Sequence, residues 1–152
     1  MRGARRLKSA DRDLTVESEE RSRVLLDTHI FLWAAGAPER LSPAARDAIQ
    51  DPKNEVFVSA AVVWEVVIKH AAGKLRLPSS PITYVPSAIA QLGFYHLPIT
   101  HEHVLAIASL PNHHPDPFDR VMIAQARFEG MTLISADRRV ARYAVQYLPA
   151  VS

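Results

Sequence analysis

Residues 24–36, VLLDTHIFLWAAG, decide the fold. An apolar run of strand length (Val24 to Asp27) is closed by an acid. A brief helical stretch follows at once, with Thr28 placed to cap it, and stops at Gly36. The same handover recurs along the chain. LSPAARDAIQ has Ser42 at an N-cap position and Pro43 at the first helical position, a start signal because proline's missing N–H costs nothing there. EVFVS (55–59) reads as the second strand, and Ser59 caps the apolar helix AAVVWEVVIKHAA, which ends at Gly73. VPSAIAQLG reads as a helix and FYHLP as the third strand; Thr100 then caps HEHVLAIASL. The helix of PDPFDRVMIAQA, the strand MTLIS (131–135), the short helix DRRVARY and the strand AVQYL complete the series.

Strands separated by helices imply the α/β class, a single domain with a mostly parallel central sheet of about five strands flanked by helices. The chain has 152 residues, enough for one core and short for two. In such sheets ligands sit beyond the carboxyl ends of the strands, where strand order reverses. Residues just after strands are therefore the ones that matter for function.

Composition narrows the chemistry. Hydrophobic residues make up 48% and charged residues 22%, as in a soluble globular protein, and no apolar stretch approaches the roughly 18–20 residues that span a bilayer. Seven of the 18 Lys and Arg and five of the 16 Asp and Glu lie in residues 1–23, so the formal charge of +2 belongs to that segment and the body is neutral. Residues 1–23 read as a disordered extension, with no apolar core that would make them a secretory signal. A cytoplasmic location is the default expectation. With no cysteine, thiolate metal sites and cysteine nucleophiles are excluded, and any metal must be held by oxygen or imidazole.

Four acids fall where a site should be: Asp27 closing strand one, Glu65 two turns into the helix after strand two, Asp119 opening the helix before strand four, and Asp137 two residues past that strand. Each has an ordinary structural reading. Asp27 and Asp137 suit helix caps, with Thr28 and Ser135 competing for those roles. Glu65, among Val62, Val63, Trp64, Val66, Val67 and Ile68, suits a pair with Lys69 four residues on. Taken together they would repel one another and raise their own pKa values. No Lys or Arg follows strand one closely enough to intervene, so their convergence implies a divalent cation. Mg²⁺ or Mn²⁺ suits carboxylate and water oxygens and supports in-line phosphodiester hydrolysis. In NHHPDPFDR, Asp116 at the N-cap places Pro117 at N1 and Asp119 at N3, so Asp116 starts the helix and Asp119 faces the cation. Asp116 is a secondary site residue that reaches the metal through water. His113 and His114 read as loop residues near the entrance, and none of the seven histidines has the spacing of a zinc site.

VLLDTHIFLWAAG, SAAVVWEVVIKHAAGKL, HHPDPFDRVMIAQA and TLISADRRV together resemble a PIN domain, specifically the VapC-type toxins of toxin–antitoxin pairs. The resemblance covers Val24 to Leu148. It implies a Mg²⁺- or Mn²⁺-dependent endoribonuclease acting on structured RNA, tRNA being a common target, neutralised by a VapB-type antitoxin. It places the family's four acids on Asp27, Glu65, Asp119 and Asp137, its hydroxyl residues on Thr28 and Ser135, and RNA phosphate contacts on Arg120 and Arg138. Phe31, Leu32 and Trp33 are candidates for antitoxin binding or a homodimer. The nuclease domain is expected over residues 24–150. Residues 1–23 precede the family's usual start, and two origins fit them: a start codon placed too early, or a basic arm for RNA. The competing class is a receiver-type module that binds phosphate or a protein partner in an acidic pocket without nuclease activity. Such a module needs a phosphoacceptor aspartate after a central strand and a lysine after a late one, and HLPIT after strand three has no aspartate.

Overall fold

Strand β1 (Arg23–Leu26) runs directly into helix α1 (Thr28–Gly36). Helix α2 (Pro43–Gln50), strand β2 (Glu55–Ser59) and helix α3 (Ala60–Ala71) follow, then α4 (Pro81–Leu92), β3 (Tyr95–Leu97) and α5 (His101–Ala106). Helix α6 (Pro117–Glu129), strand β4 (Thr132–Ser135), a 3-10 turn (Arg138–Arg142) and strand β5 (Gln146–Pro149) close the fold. This computed structural model describes residues 22–143 and 145–150. The expected N-terminal extension lies outside the described residues except for Ser22 and Arg23. Arg23, counted with that extension above, is the first residue of β1: it pairs with Glu55, and its guanidinium donates to the Glu129 carbonyl.

The five strands form one sheet in the order β3-β2-β1-β4-β5, and every pairing is parallel. β1 is central, in register with β2 through Leu26 and Val58 and with β4 through Leu26 and Ile134. Its residues Leu25 and Leu26 are fully buried, as are Leu133 and Ile134 of β4. A central strand covered by helices on both faces needs such unbroken apolar runs rather than alternation. Phe31 and Ile30 of α1 and Met122 and Ile123 of α6 pack into the same core.

Local chemistry explains the element ends. Ser42 Oγ accepts from the Ala45 N–H and Ser59 Oγ from the Ala61 N–H, both as side-chain N-caps. Helix α4 starts a turn earlier than its apolar pattern, because Pro81 occupies its first position and Pro86 is carried inside the helix. Gly130, at φ 71°, closes α6 in the left-handed conformation that a side chain resists and turns the chain back into β4. DRRVARY forms a 3-10 turn rather than an α-helix. Among the described residues no helix is long and apolar enough to cross a membrane.

Candidate functional site

The carboxyl ends of β1 and β4 meet where chain order reverses across the sheet, the expected place for a ligand. An open cavity of about 750 Å³ lies there. Five carboxylates line it: Asp27, Glu65, Asp116, Asp119 and Asp137. Thr28 lies beside them in the cavity wall, and Ser135 lies behind Asp27.

Asp27 caps α1, a role open to either Asp27 or Thr28 on sequence grounds: its Oδ1 accepts from the Ile30 N–H at 2.9 Å. It also receives a hydrogen bond from the Ser135 hydroxyl, whose oxygen in turn accepts from the Asp137 N–H at 3.0 Å. Burial raises the Asp27 pKa above the ordinary carboxylate range against these donors. Thr28, released from capping, donates to Glu65 Oε1 at 2.6 Å. Glu65 Oε2 meets Lys69 Nζ at 2.6 Å, so the helical pair and the pocket position are both realised. The hydrogen bond to Glu65 raises the Lys69 pKa and keeps the ammonium charged.

Asp116 and Asp119 separate as their positions in the first turn require. Asp116 Oδ1 accepts from the N–H groups of Phe118 and Asp119 at 2.8 and 3.4 Å, which leaves the Asp119 carboxylate facing the cavity. Burial, followed by the charges of Asp116, Asp27, Glu65 and Asp137, pushes Asp119 up to about 8. Asp137 moves the other way. Arg139 holds it well below the usual range through Nη2 at 2.8 Å and Nε at 3.1 and 3.2 Å, and the Arg139 N–H adds a bond at 2.9 Å.

Three sequence expectations need correction. Basic groups do enter the cluster: Lys69 from α3 and Arg139 from the turn after β4. They are engaged by Glu65 and Asp137, so Asp27 and Asp119 have no Lys or Arg partner among the described residues. Neither Arg120 nor Arg138 lines the cavity; Arg120 donates to the Pro111 carbonyl and the Tyr143 hydroxyl. Arg139 stands there instead, because Asp137 caps a 3-10 turn and its i+2 neighbour folds back onto it. His114 is no bystander: it is buried, with Nε2 2.8 Å from Asp137 Oδ2 and 3.2 Å from Asp119 Oδ2. Its neighbour His113 stays away from the acids and packs edge-on against Tyr143.

The donor set fits a hard divalent cation. Five carboxylates face two cationic side chains along the wall, and the proton held by Asp119 marks an excess of negative charge that a cation would relieve. Ligand atoms of His114, Asp119 and Asp137 lie within 4.8 Å of one another.

The PIN domain family model matches residues 24–146. The chain belongs to the PIN domain family. Over 118 residues this PIN domain is 30% identical to Ribonuclease VapC22 of Mycobacterium tuberculosis, covering 77% of this chain and 88% of that one. Its fold matches a chain in the crystal structure of VapBC2 from Rickettsia felis bound to a DNA fragment from their promoter, with TM-score 0.63, 12% identity and coverage of 84% and 98%. It also matches a chain of DNA-bound VapBC from Salmonella typhimurium at TM-score 0.62, with 12% identity and the same coverage. The family match displaces the receiver-type alternative.

Proposed function

We propose that this PIN domain is a divalent-metal-dependent endoribonuclease, the toxin of a VapBC-type pair, with its nuclease domain in residues 24–150. The observation that carries the reading is the acidic cavity at the ends of β1 and β4, in which Asp119 is pushed up to about 8 by burial and four neighbouring carboxylates. The similarity to a ribonuclease over most of both chains supports the reaction class.

Asp27 and Asp119, without a Lys or Arg partner among the described residues, are the direct ligands in this reading. Glu65 and Asp137, already bonded to Lys69 and Arg139, complete the site through water, and Asp116 stands behind Asp119 as its helix cap. Mg²⁺ or Mn²⁺ is the expected ion, since small hard cations keep several waters and take carboxylate oxygens. When bound, the ion activates water and offsets charge at the phosphodiester. Thr28 and Ser135 hold Glu65 and Asp27 in place. Lys69 and Arg139 line the cavity and offer positive charge to RNA phosphates on either side of the cut. Structured RNA, tRNA among it, is the proposed substrate. A VapB-type antitoxin and a second copy of the chain are the proposed protein partners, and the cytoplasm is the proposed location.

The test is cleavage of an RNA pool with Mg²⁺, with Mn²⁺ and with chelator, comparing wild type with Asp27→Asn and Asp119→Asn. Metal-dependent cleavage by wild type and none by folded variants is expected. Full activity in both variants overturns the reading. Sequencing of cross-linked RNA after brief expression identifies the substrate.

A further inference from the structure

We propose that His114 is a positioning residue: its Nδ1 accepts from the amide of Asp116, the cap of α6, its Nε2–H donates to Asp137, and this tie holds Asp137 and Asp119 at the separation that receives the divalent cation. The inference rests on the nuclease reading above and adds to it a residue outside the acidic set.

The tautomer follows from the hydrogen bonds. A backbone N–H only donates, and the Asp116 N–H points at His114 Nδ1 at 3.1 Å. An accepting Nδ1 carries no proton, so the neutral ring holds its hydrogen on Nε2. That nitrogen lies 2.8 Å from Asp137 Oδ2 and 3.2 Å from Asp119 Oδ2. Only the contact with Asp137 has hydrogen-bond geometry, and Asp119 Oδ2 lies beside the same nitrogen.

The arrangement joins three parts of the chain. Asp119 belongs to the first turn of α6, Asp137 follows β4, and His114 comes from the loop before α6, tied to the residue that caps that helix. Pro115 restricts the backbone of His114 to extended conformations, which limits where the ring can go. With its side chain 1% exposed, the ring leaves little access for water to take over the bridge. Asp119 and Asp137 sit on separate elements, and once both are ionised their repulsion would drive them apart without such a tie. The alternative, His114 as a ligand through Nε2, needs a lone pair there. It would move the proton to Nδ1 and set two donors against each other at the Asp116 amide.

The test compares Mn²⁺ binding to the full chain by electron paramagnetic resonance for wild type, His114→Asn and His114→Gln. Asparagine keeps an acceptor near the Asp116 N–H and removes the bridge; glutamine reaches the bridge with an N–H. His114→Asn is expected to weaken Mn²⁺ binding about 10- to 100-fold, the usual effect of losing a group that orients metal ligands. Half-maximal RNA cleavage should move to correspondingly higher Mn²⁺, with a much smaller change in kcat at saturation. His114→Gln should stay within about 3-fold of wild type, since the bridging donor is retained. Nitrogen NMR of the metal-free wild type should find the proton on Nε2 of His114, and Mn²⁺ spectra should show no coupling to its nitrogen. Wild-type Mn²⁺ affinity in His114→Asn, a proton on Nδ1, or nitrogen coupling to bound Mn²⁺ each overturns the bridging role while leaving the nuclease reading intact. Failure of wild type both to bind Mn²⁺ and to cleave RNA overturns the two together. If His114→Asn does not fold, the His114→Gln affinity and the wild-type tautomer decide the matter.

Discussion

Asp119→Asn should stabilise the metal-free protein at high pH and do little at low pH. Its carboxyl titrates near 8 in the folded chain, against 3.8 ordinarily. The folded state therefore holds a proton that the unfolded state gives up. For an acid raised in this way, the folded state is favoured fully below pH 4 and loses that advantage as pH rises through about 8. A rise of about 4 pH units at roughly 1.4 kcal/mol each sets a ceiling near 6 kcal/mol. The side chain retains 22% of its surface, and water and local relaxation bring the realised figure to about 2–3 kcal/mol. Asparagine has nearly the same shape and carries no charge, so the variant should melt about 6–10 °C above wild type at pH 9 in chelator. At pH 3, below the ordinary carboxylate value of 3.8, Asp119 is protonated in folded and unfolded wild type alike, and the two proteins should agree within about 1 kcal/mol. Urea unfolding at both pH values gives the comparison directly. Adding Mn²⁺ at pH 9 should raise wild type and leave Asp119→Asn unmoved. An equal difference between the proteins at pH 3 and pH 9, or a variant less stable at pH 9, would refute the raised titration inferred for Asp119 in the acidic cavity.

Other expectations follow from single contacts. Thr28→Val removes the donor to buried Glu65 Oε1 and should cost about 1–3 kcal/mol in urea unfolding, with cleavage reduced as Glu65 loses its orientation. Asp116→Ala removes the cap of α6 and should cost about 1 kcal/mol while retaining measurable cleavage, since Asp119 remains. Arg139→Ala frees Asp137; the Asp137 titration followed by NMR should return upward toward the ordinary carboxylate range, and KM for RNA should rise. Arg138→Ala, outside the cavity, should change neither.

What could be read in advance depended on how local the determining contacts were. The parallel sheet was legible because each apolar run ends at a residue that caps the next helix. Asp116 and Asp119 could be told apart because a cap fixes the direction of every side chain in the first turn. Glu65 was ambiguous from spacing, since Lys69 sits at the correct offset for a helical pair, and the fold places that pair inside the cavity instead of choosing between the readings. A short helix after β4 does not by itself single out Arg139; the 3-10 turn and the Asp137 cap bring the i+2 side chain back. His114 was missed for a different reason. Its partner Asp137 lies 23 residues away, and no periodicity along the chain joins a loop histidine to the end of a later strand.

The placement of β1 at the centre of the sheet also governs when the protein becomes active during synthesis. β1 is the earliest described strand to leave the ribosome, yet one of its edges is completed only by β4, which pairs Val24 with Thr132. At ordinary translation rates the interval is on the order of ten seconds. Until then Asp27 lacks the Ile134 carbonyl that anchors its backbone and the Ser135 hydroxyl that holds its carboxylate. A nascent chain that stops before β4 carries Asp27, Glu65 and Asp119 without the strand that gathers them, so the acidic cavity exists only once β4 has been made.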